Sequence, residues 1–413
     1  MRQSAAAVAE AFDLANLPPS FYDDPYPTYR ALQAHAPVKL LRDGTFFVTR
    51  YDDLTRIYRD ARVFSSDKKR EFAPKFGATP LYEHHTTSLV FNDPPLHTRV
   101  RRLVADPLTP RMMAELEPGL IALVDDLLDA MAMRGRVDLI GDFAAAIPVA
   151  VIGNLLDVPR DERGPLRDWS LDILGALEPA LTPSAAARGN RAVEAFLAYL
   201  ETLVARRRAR PGDPDRDILT RLLHGEPDGE RLTAKELLHN CIFLLNAGHE
   251  TTTNLIGNGL VALFDHPAEL RRLRAEPALY RTAVEEMLRF DSPVQLGNRI
   301  TTEATELSGV VLPAGAQVHL GIGAANRDPA QFHDPDRFDV GRTPNRHLAF
   351  GAGIHQCAGL SLARLEATIA ISRFLTRFPR HAPAGRMVRG GRARFRGFVQ
   401  IPCIVRDDEG MSS

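Results

Sequence analysis

The chain contains 413 residues, enough for two or three domains of about 150 residues and for a core that needs no disulfides. Its 51 Lys+Arg and 52 Asp+Glu give a net charge of -1. This balance argues against a nucleic-acid partner, because proteins that bind nucleic acids usually carry a basic excess. The 3 cysteines, an odd number at wide spacing, argue against a secreted disulfide framework, so we expect a reducing, cytoplasmic compartment.

Residues 1–20 predict a loosely ordered arm rather than a targeting segment. Glu10 and Asp13 interrupt the Ala-rich stretch, which lacks the apolar core of a signal peptide. Leu14, Leu17 and Phe21 are expected to pack against the body of the protein. No apolar run approaches the about 18 residues of a membrane span, so no membrane anchor is expected.

Residues 21–413 predict one mainly α domain with a small β region, since no linker or internal repeat divides them. Helical periodicity covers 25–36, 51–59, 95–104, 111–133, 142–156, 186–209, 233–264, 267–275, 278–290 and 357–377. Short strands are predicted at 38–42, 46–49, 309–312 and 316–320. Residues 62–93 and 324–356 are expected to be irregular, and loops of that length are usually functional.

The first irregular segment is rich in basic residues between 68 and 75, interleaved with phenylalanines. One hypothesis is that these cations recognise an acidic substrate. The alternative, a solvated charged loop, is favoured because charge runs usually face water. His84 and His85 are likewise interpreted as solvated loop histidines, because no third metal ligand lies nearby in the sequence.

An unusual polar patch interrupts the predicted helix 233–264 at the sequence LLNAGHETTTN, residues 244–254. Three consecutive threonines are poor helix-interior residues, and Gly248 adds about 1 kcal/mol of cost. A hydroxyl beside a carboxylate can relay protons into a dry pocket. The alternative is a helix kink in which threonine side chains bond back to the preceding turn.

The strongest signal is the glycine-rich sequence AFGAGIHQCAGLSLAR, residues 349–364. Gly351 and Gly353 allow a tight turn close to a flat ligand. Cys357 is predicted at the start of a helix, where the helix N-terminus favours a thiolate, a good soft ligand for iron. The alternatives are an inert buried cysteine and a nucleotide-binding loop, which lacks its third glycine because Gln356 stands there.

This segment resembles the haem-binding loop of the cytochrome P-450 family, F-G-x-G-x-H/R-x-C-x-G. Every fixed position is matched, by Phe350, Gly351, Gly353, His355, Cys357 and Gly359. The resemblance implies that Cys357 is the proximal ligand of haem b (iron protoporphyrin IX). It also implies the P-450 fold, in which a long central helix and the helix after the cysteine loop sandwich the haem.

Further motifs resemble those of the same family. Ala247–Thr251 is similar to A/G-G-x-D/E-T, which implies the oxygen-side hydroxyl for Thr251, the acid of the relay for Glu250, and a position against the haem for Ala247. Glu286 and Arg289 lie at i, i+3 and can pair on one helix face; alone they would be a weak surface ion pair. In the family this E-x-x-R pair is structural, and Arg337 is the candidate for its third partner.

The resemblance also implies the residues around the haem. Cationic partners of the propionates are expected at His97, Arg101, Arg299 and His355. Phe350, Gly351 and Gly359 would contact the haem from the cysteine loop. A largely apolar substrate pocket would be lined by Phe243, Leu244, Asn246, Val294, Leu296, Phe398 and Val399. Asn246 could bind the substrate or a neighbouring carbonyl, and Cys241 and Cys403 are expected to be structural.

These features together favour a haem-thiolate monooxygenase that inserts one oxygen atom of O2 into a small organic substrate. No flavin or nicotinamide fingerprint is found, so a separate ferredoxin and ferredoxin reductase are expected to deliver electrons. Candidates for an acidic partner's docking face are Arg101, Arg102, Arg111, Arg346 and Arg364. The alternatives are a haem-thiolate binding or sensor protein without turnover and a peroxide-driven or rearranging enzyme; the acid–threonine pair argues against both.

Overall fold

The computed structural model describes residues 4–105, 109–214, 217–225 and 231–405. Its α-helices are α1 Ala5–Ala11, α2 Pro19–Asp23, α3 Tyr26–His35, α4 Tyr51–Arg59, α5 Lys69–Phe76, α6 Pro80–Thr87, α7 Leu96–Ala105, α8 Pro110–Arg134, α9 Ala146–Leu155, α10 Leu166–Gly175, α11 Pro183–Ala209, α12 Ile218–His224, α13 Ala234–Asp265, α14 Pro267–Ala275, α15 Tyr280–Phe290, α16 Ile322–Ala325 and α17 Leu360–Arg377. Short 3-10 turns lie at Leu89–Phe91, Arg160–Glu162, Pro277–Leu279 and Gly353–His355, and a π-helical turn lies at Ile140–Ala144.

In the described ranges the strands are short and form four small sheets. They are β1 Val38–Leu40, β2 Phe46–Val48, β3 Phe64–Ser65, β4 Arg136–Asp138, β5 Leu296–Thr301, β6 Thr305–Leu307, β7 Val310–Leu312, β8 Gln317–Gly321, β9 Ala382–Pro383, β10 Val388–Arg389, β11 Phe398–Gln400 and β12 Pro402–Ile404. The largest sheet has the order β1-β2-β8-β5-β3. In it β2 and β8 are parallel, with Phe46 opposite Val318, and the other neighbours are antiparallel. The predicted class, mainly α with a small β region, is confirmed.

The central helix α13 has 32 residues, and its start is set by local sequence. Thr233 and Glu236 form a capping box: the Glu236 amide donates to Thr233 Oγ1 at 3.2 Å, and the Thr233 amide donates to Glu236 Oε2 at 2.9 Å. The helix contacts α9, α10, α15 and α17, so it forms the middle of the main hydrophobic core. Among the described helices, none combines the length and apolar composition that a bilayer crossing requires.

Two segments are more regular than the sequence predicts. The expected loosely ordered arm contains α1, capped by Ser4, and Phe12, Leu14 and Phe21 are buried in a separate cluster against β2. Residues 62–93, expected to be irregular, contain β3, α5, α6 and a 3-10 turn. Helix α6 packs against α5, α11 and α13, which brings this segment over the centre of the molecule.

Candidate functional site

The cysteine loop is held in a tight turn before α17. The Cys357 amide donates to the Phe350 carbonyl and the Gly351 amide to the Leu348 carbonyl, both at 2.9 Å. Helix α17 begins at Leu360, with Gly359 as its N-cap, so Cys357 precedes the helix rather than opening it as predicted. The loop therefore presents the Cys357 side chain from backbone-bonded, irregular structure.

Gly353 is required by both its conformation and its surroundings. Its φ of +69° lies in the left-handed region, and a Cβ atom there would stand 2.1 Å from the Tyr58 carbonyl oxygen on α4. No side chain can be accommodated against a backbone atom at that distance. This close approach explains why the pattern of the loop has a glycine at this position.

Burial raises the pKa of the Cys357 thiol, while a hydrogen bond from the Gly359 amide and the charges of Arg101 and Arg364 lower it. Burial is the largest of these effects, so the protein alone does not favour the thiolate there. A coordinated metal ion deprotonates a thiol outright. Burial also raises the pKa of Cys241 to about 12 and of Cys403 to about 11, as expected for structural cysteines.

The four predicted propionate partners line one cavity of about 380 Å³: His97, Arg101, Arg299 and His355. Cys357 lines the same cavity. The rings of His97 and His355 lie 4.0 Å apart between centroids, and the Arg299 guanidinium stacks on Tyr58 at 5.4 Å. Burial, Arg101 and Arg299 lower the pKa of His97 to about 4, and burial, Arg299, His97 and Arg101 hold that of His355 well below its usual range.

Within the described chain no carboxylate forms a direct ion pair with Arg101 or Arg299, although the charge of Asp93 acts on Arg299 and His97. Both ring nitrogens of His97 and Nε2 of His355 are buried without a hydrogen-bond partner in the part of the chain that the structure describes. Buried polar groups without partners are costly. A flat cofactor with two carboxylates and an iron ion would satisfy the cations, these nitrogens and Cys357 together, so the residues fit haem.

Helix α13 forms another wall of the same cavity. Phe243, Leu244, Asn246, Ala247 and Thr251 all line it, together with Thr252. Thr251 Oγ1 donates to the Ala247 carbonyl at 2.8 Å, so the back-bonding of the alternative interpretation is present. The helix nevertheless runs without a break from Ala234 to Asp265.

Helix packing explains why a glycine stands at position 248 in this wall. A Cβ atom at Gly248 would stand 2.6 Å from Ile152 Cδ1 on α9, so the glycine allows the two helices to approach closely. Gly248 itself also lines the cavity. The polar segment of α13 thus fits between the cavity and α9 without distorting the helix.

Glu250 is buried but is not among the described residues that line the cavity. Its Oε1 accepts a hydrogen bond of 2.6 Å from Arg392 Nη1, and the other amino group of Arg392 donates to the Leu171 carbonyl. Burial raises the pKa of Glu250 to about 7, although Arg392 lowers it. The expected acid–hydroxyl pair is therefore split, with Thr251 at the cavity and Glu250 toward Arg392.

Most of the residues expected in the substrate pocket do line the cavity, with one correction. Val294 and Leu296 line the cavity, but Phe398 and Val399 do not. Phe398 is buried beneath the Arg389 guanidinium, and Val399, next along the strand, is 54% exposed. Phe395, which precedes β11 by three residues and forms an isolated β-bridge with Val294, takes their place in the lining.

Sequence reasoning missed several residues of the lining. His84 and His85, expected to be solvated, are buried on α6 and line the cavity. Glu366 of α17 also lines it, and burial raises the pKa of this carboxyl group to about 8. The sequence gives no direct sign that these side chains are buried. An interpretation of residues 80–87 as a buried helix would have placed both histidines in the interior of the protein.

The basic segment 68–75 is only in part the solvated loop that was expected: its basic side chains at positions 69 and 70 are exposed, but the other two are buried or half-buried. Lys68 is 1% exposed and pairs with Glu71 at 2.9 Å, and Lys75 Nζ donates to the Glu178 carbonyl at 2.9 Å. Neither lysine is among the described residues that line the cavity. These charges are partnered internally and give no direct support to recognition of an acidic substrate.

The E-x-x-R pair forms a fully buried scaffold behind the cysteine loop. Arg289 donates to both carboxylate oxygens of Glu286 at 2.7 Å. It also donates to three loop carbonyls, those of Asn326, Pro335 and Arg337, at 2.8 to 3.1 Å. The pair thus ties α15 to the chain that leads into the cysteine loop.

The prediction of Arg337 as third partner is wrong. The Arg337 side chain is exposed, and only its carbonyl joins the network. Arg342 takes the role: its Nε donates to Glu286 Oε1 at 3.2 Å, and Asn345 Nδ2 donates to Glu286 Oε2 at 3.1 Å. Both arginines lie in the same irregular segment, five residues apart, so only the path of the loop distinguishes them.

The chain is similar to known proteins over nearly its whole length. A sequence model of the family described as cytochrome P-450 matches residues 171–390. The chain is 40% identical over 386 residues to the cytochrome P-450 monooxygenase PikC of Streptomyces venezuelae, covering 92% of this chain and 89% of that protein. It is 41% identical over 370 residues to the vitamin D(3) 25-hydroxylase of Pseudonocardia autotrophica, with 88% and 89% covered.

A solved structure extends the likeness to three dimensions. The myxobacterial cytochrome P-450 CYP267B1 in complex with myristic acid is 38% identical and aligns with a TM-score of 0.86, over 94% of this chain and 98% of that one. The cavity behind Cys357 and these likenesses lead to the same result: the chain belongs to the cytochrome P-450 family and is a monooxygenase that binds haem b.

Proposed function

We propose that this monooxygenase inserts one oxygen atom of O2 into a mostly apolar small organic substrate, with Cys357 as the iron ligand. The observation that carries the proposal is the single cavity lined by Cys357, by the four cationic and histidine side chains, and by Thr251 of α13. The haem would be held by Cys357, His97, Arg101, Arg299 and His355. When bound, it supplies activation of O2, which a thiolate ligand promotes by donating electron density to iron.

The chain's own residues handle protons in this proposal. Thr251 carries a hydroxyl at the cavity, and Glu250 lies beside it on the side of Arg392. A pKa of about 7 lets Glu250 both take up and release a proton near neutral pH, which is what a proton-transfer group requires. The Arg392 side chain is 23% exposed, so Glu250 is one ion pair away from water.

The cavity wall supports an apolar substrate with a polar contact. Phe243, Leu244, Val294, Leu296 and Phe395 would exclude water and orient the C–H bond. Asn246 lines the cavity, and neither atom of its side-chain amide has a partner among the described residues. We therefore assign Asn246 to the substrate rather than to a neighbouring carbonyl.

Two other functions on the same fold make different demands. A haem-thiolate sensor needs no proton relay, and a peroxide-driven enzyme tolerates a changed one. The presence of Thr251 at the cavity, with the preceding residue Glu250 buried and bonded to Arg392, supports use of O2 over both.

Electrons are proposed to come from a separate ferredoxin and its reductase, in the cytoplasm. Of the expected docking residues, Arg101 lines the cavity and Arg364 pairs with Glu285 at 2.6 Å, whereas Arg102 and Arg346 are exposed. Arg346 lies in the segment that leads into the cysteine loop. Docking of an acidic ferredoxin there would make turnover fall as salt rises.

The test is the carbon monoxide difference spectrum of the reduced protein. Wild-type protein is expected to give the Soret band of thiolate-ligated haem, and Cys357→Ser is expected to lose it. Cys241→Ser and Cys403→Ser are matched controls, because both thiols are buried away from the cavity, and they should keep the band. A thiolate band that survives in Cys357→Ser would overturn the assignment.

A further inference from the structure

Two adjacent histidines of α6, His84 and His85, lie in a part of the cavity that the reaction described above does not use. They are 2% and 1% exposed. The His85 ring is surrounded by Phe72, Phe76 and Phe91, with ring centroids 5.3 to 5.7 Å away. These imidazoles therefore lie in apolar surroundings, where an unbonded polar atom is costly.

Neither ring is fully satisfied by the protein. His84 Nδ1 and His85 Nε2 are buried and have no hydrogen-bond partner in the described ranges of the chain. A third ring, His239 of α13, contacts His84 at 5.6 Å between centroids and also has an unbonded nitrogen, Nδ1. Of these three histidines only His84 and His85 line the cavity, so they alone can offer unused hydrogen-bonding capacity to a ligand there.

The surroundings hold these histidines uncharged. Burial is the main reason why the pKa of His85 is about 3, with Lys75 and Arg394 adding to it, and the pKa of His84 is also well below its usual value. A neutral imidazole has one donor and one acceptor nitrogen. Such a pair complements an uncharged oxygen, either a hydroxyl that both donates and accepts or a carbonyl that accepts.

The neighbouring cations already have carboxylates close by, which argues against a further carboxylate in the same place: burial lowers the pKa values of Lys75 and Arg394, and the charges of Glu71 and Glu178 raise them. Lys75 Nζ donates to the Glu178 carbonyl at 2.9 Å. Arg394, which lines the cavity, donates from Nε to the Leu177 carbonyl at 2.9 Å and from Nη1 to the Leu296 carbonyl at 3.0 Å. Backbone oxygens therefore fix Arg394 in the wall and Lys75 outside the described lining.

Positions along α13 show that His84 and His85 lie away from the end of the cavity where the reaction takes place. His239, which touches His84, and Asn246 are seven residues apart and so share a helix face, roughly 10 Å apart along the axis. Thr251 lies further along the helix in the same direction. A substrate held at the histidines would therefore extend toward the Cys357 end with its apolar part.

We infer that His84 and His85 form a hydrogen-bonding anchor that selects substrates carrying an uncharged hydroxyl or carbonyl group remote from the oxidised carbon. This inference rests on the proposed function, because it names the substrate class of the same cavity. His84 and His85 would be specificity-determining residues that bind the far end of the substrate.

The test uses haem-loaded protein and alkyl chains of graded length that carry an imidazole at one end. The imidazole nitrogen binds iron and shifts the Soret band, so affinity is read without turnover. The other end is a methyl, a hydroxyl, a methyl ketone or a carboxylate. At one chain length, wild-type protein should bind the hydroxyl or ketone probe about 2- to 10-fold more tightly than the methyl probe, which is the range of one net hydrogen bond.

Variants then assign this preference to the histidines. His85→Phe and His84→Phe should lose the preference while still binding the methyl probe, and His85→Gln should keep part of it. His239→Phe is the matched control, since His239 is buried beside His84 but is not among the described lining residues. It should leave the preference unchanged.

Three results would overturn the inference: no preference at any length, a preference that persists in both phenylalanine variants, or tightest binding of the carboxylate probe. Failure of the proposed function would look different. In that case the reduced carbon monoxide complex would lack the thiolate band, whatever the probes do.

Discussion

Two buried polar regions of this molecule differ in whether the protein satisfies them. Behind the cysteine loop, Arg289 and Glu286 are fully buried, and between them they bond two further side chains and three loop carbonyls. On the cavity wall, Asn246, His84 and His85 are almost as buried but keep unbonded atoms among the described residues. Burial alone therefore does not distinguish the central ion pair of the scaffold from the cavity wall, whereas the hydrogen bonds of these particular residues do.

The largest loss of stability is expected from a substitution in the region behind the cysteine loop, where the buried ion pair is fully hydrogen-bonded. Arg289→Leu would leave the Glu286 carboxylate buried without its main partner, and removing one member of a buried pair costs about 3–5 kcal/mol. Denaturant unfolding of the haem-loaded protein should show this loss, with weaker haem retention. A loss below about 1 kcal/mol would contradict the role of this pair as a scaffold.

Arg337→Ala is the control for that experiment. Its side chain is exposed and only its carbonyl takes part, so the free energy of unfolding should change by less than about 0.5 kcal/mol. Arg342→Ala should be clearly more damaging, because its guanidinium bonds the Glu286 carboxylate. The reverse order would restore Arg337 as the third partner.

Chemistry at the cavity wall should be disturbed with less effect on folding. Thr251→Ala removes the hydroxyl that lines the cavity, and product formation should fall by about 100-fold, the lower end for loss of a proton-transfer group. Electrons should go to hydrogen peroxide instead. Product and peroxide formed per NADPH, measured with the redox partners present, give the coupling.

Thr253→Ala is the matched control on the same helix. Thr253 is buried and donates to the His249 carbonyl at 2.9 Å, but it is not among the described residues at the cavity. Its coupling should equal that of the wild type. Unchanged coupling in Thr251→Ala would remove the hydroxyl from the proposed relay.

A smaller, pH-dependent effect should come from Glu250. Its raised pKa of about 7 means that the carboxyl group is protonated in the folded protein below that pH. Coupling should therefore decline as pH rises through about 7, and Glu250→Gln should abolish this step. Over the window between the unfolded pKa and about 7 the folded state binds the extra proton, so the free energy of unfolding contributed by this group also falls as pH rises.

Neighbouring charges should move the midpoint in opposite directions. Arg392 lowers the pKa of Glu250, so Arg392→Met should shift the coupling midpoint upward. Glu178 raises it, so Glu178→Gln should shift the midpoint downward. If the pH midpoint of coupling stays the same in both variants, a group other than Glu250 is titrating.

Much of the site could be predicted because its signals are local. Cys357 and the glycines around it belong to one loop, and Glu286 and Arg289 are one helical turn apart, so short-range sequence places them together. Helix α13 is similarly readable, because its capping box and its long apolar pattern lie within one segment. The mainly α class follows from the same helical patterns.

What could not be predicted depends on contacts between distant segments. Helix α5 contains Pro74 and α6 is only eight residues long, so their periodicity is weak, and burial of His84 and His85 follows from packing of α6 on α13. The exchanges of Arg342 for Arg337 and of Phe395 for Phe398 are shifts of five and three residues, in or next to irregular chain. When a prediction is wrong by that many residues, it assigns an exposed side chain to the interior and misses the one that lies there.

The smallest expected effect tests the comparison most directly, because two buried asparagines of one helix differ in whether the protein completes their hydrogen bonds. Asn258 Nδ2 donates to the Asp291 and Arg396 carbonyls at 3.1 and 3.0 Å, whereas the Asn246 amide has no partner in the described chain. Asn258→Leu should lower the free energy of unfolding by about 1–3 kcal/mol, since it leaves buried carbonyls unbonded. Asn246→Leu should change it by less than about 1 kcal/mol, because no protein group loses a partner. Denaturant unfolding of both variants with haem bound decides the matter, and equal losses would mean that unbonded polar atoms on this wall do not mark a binding surface.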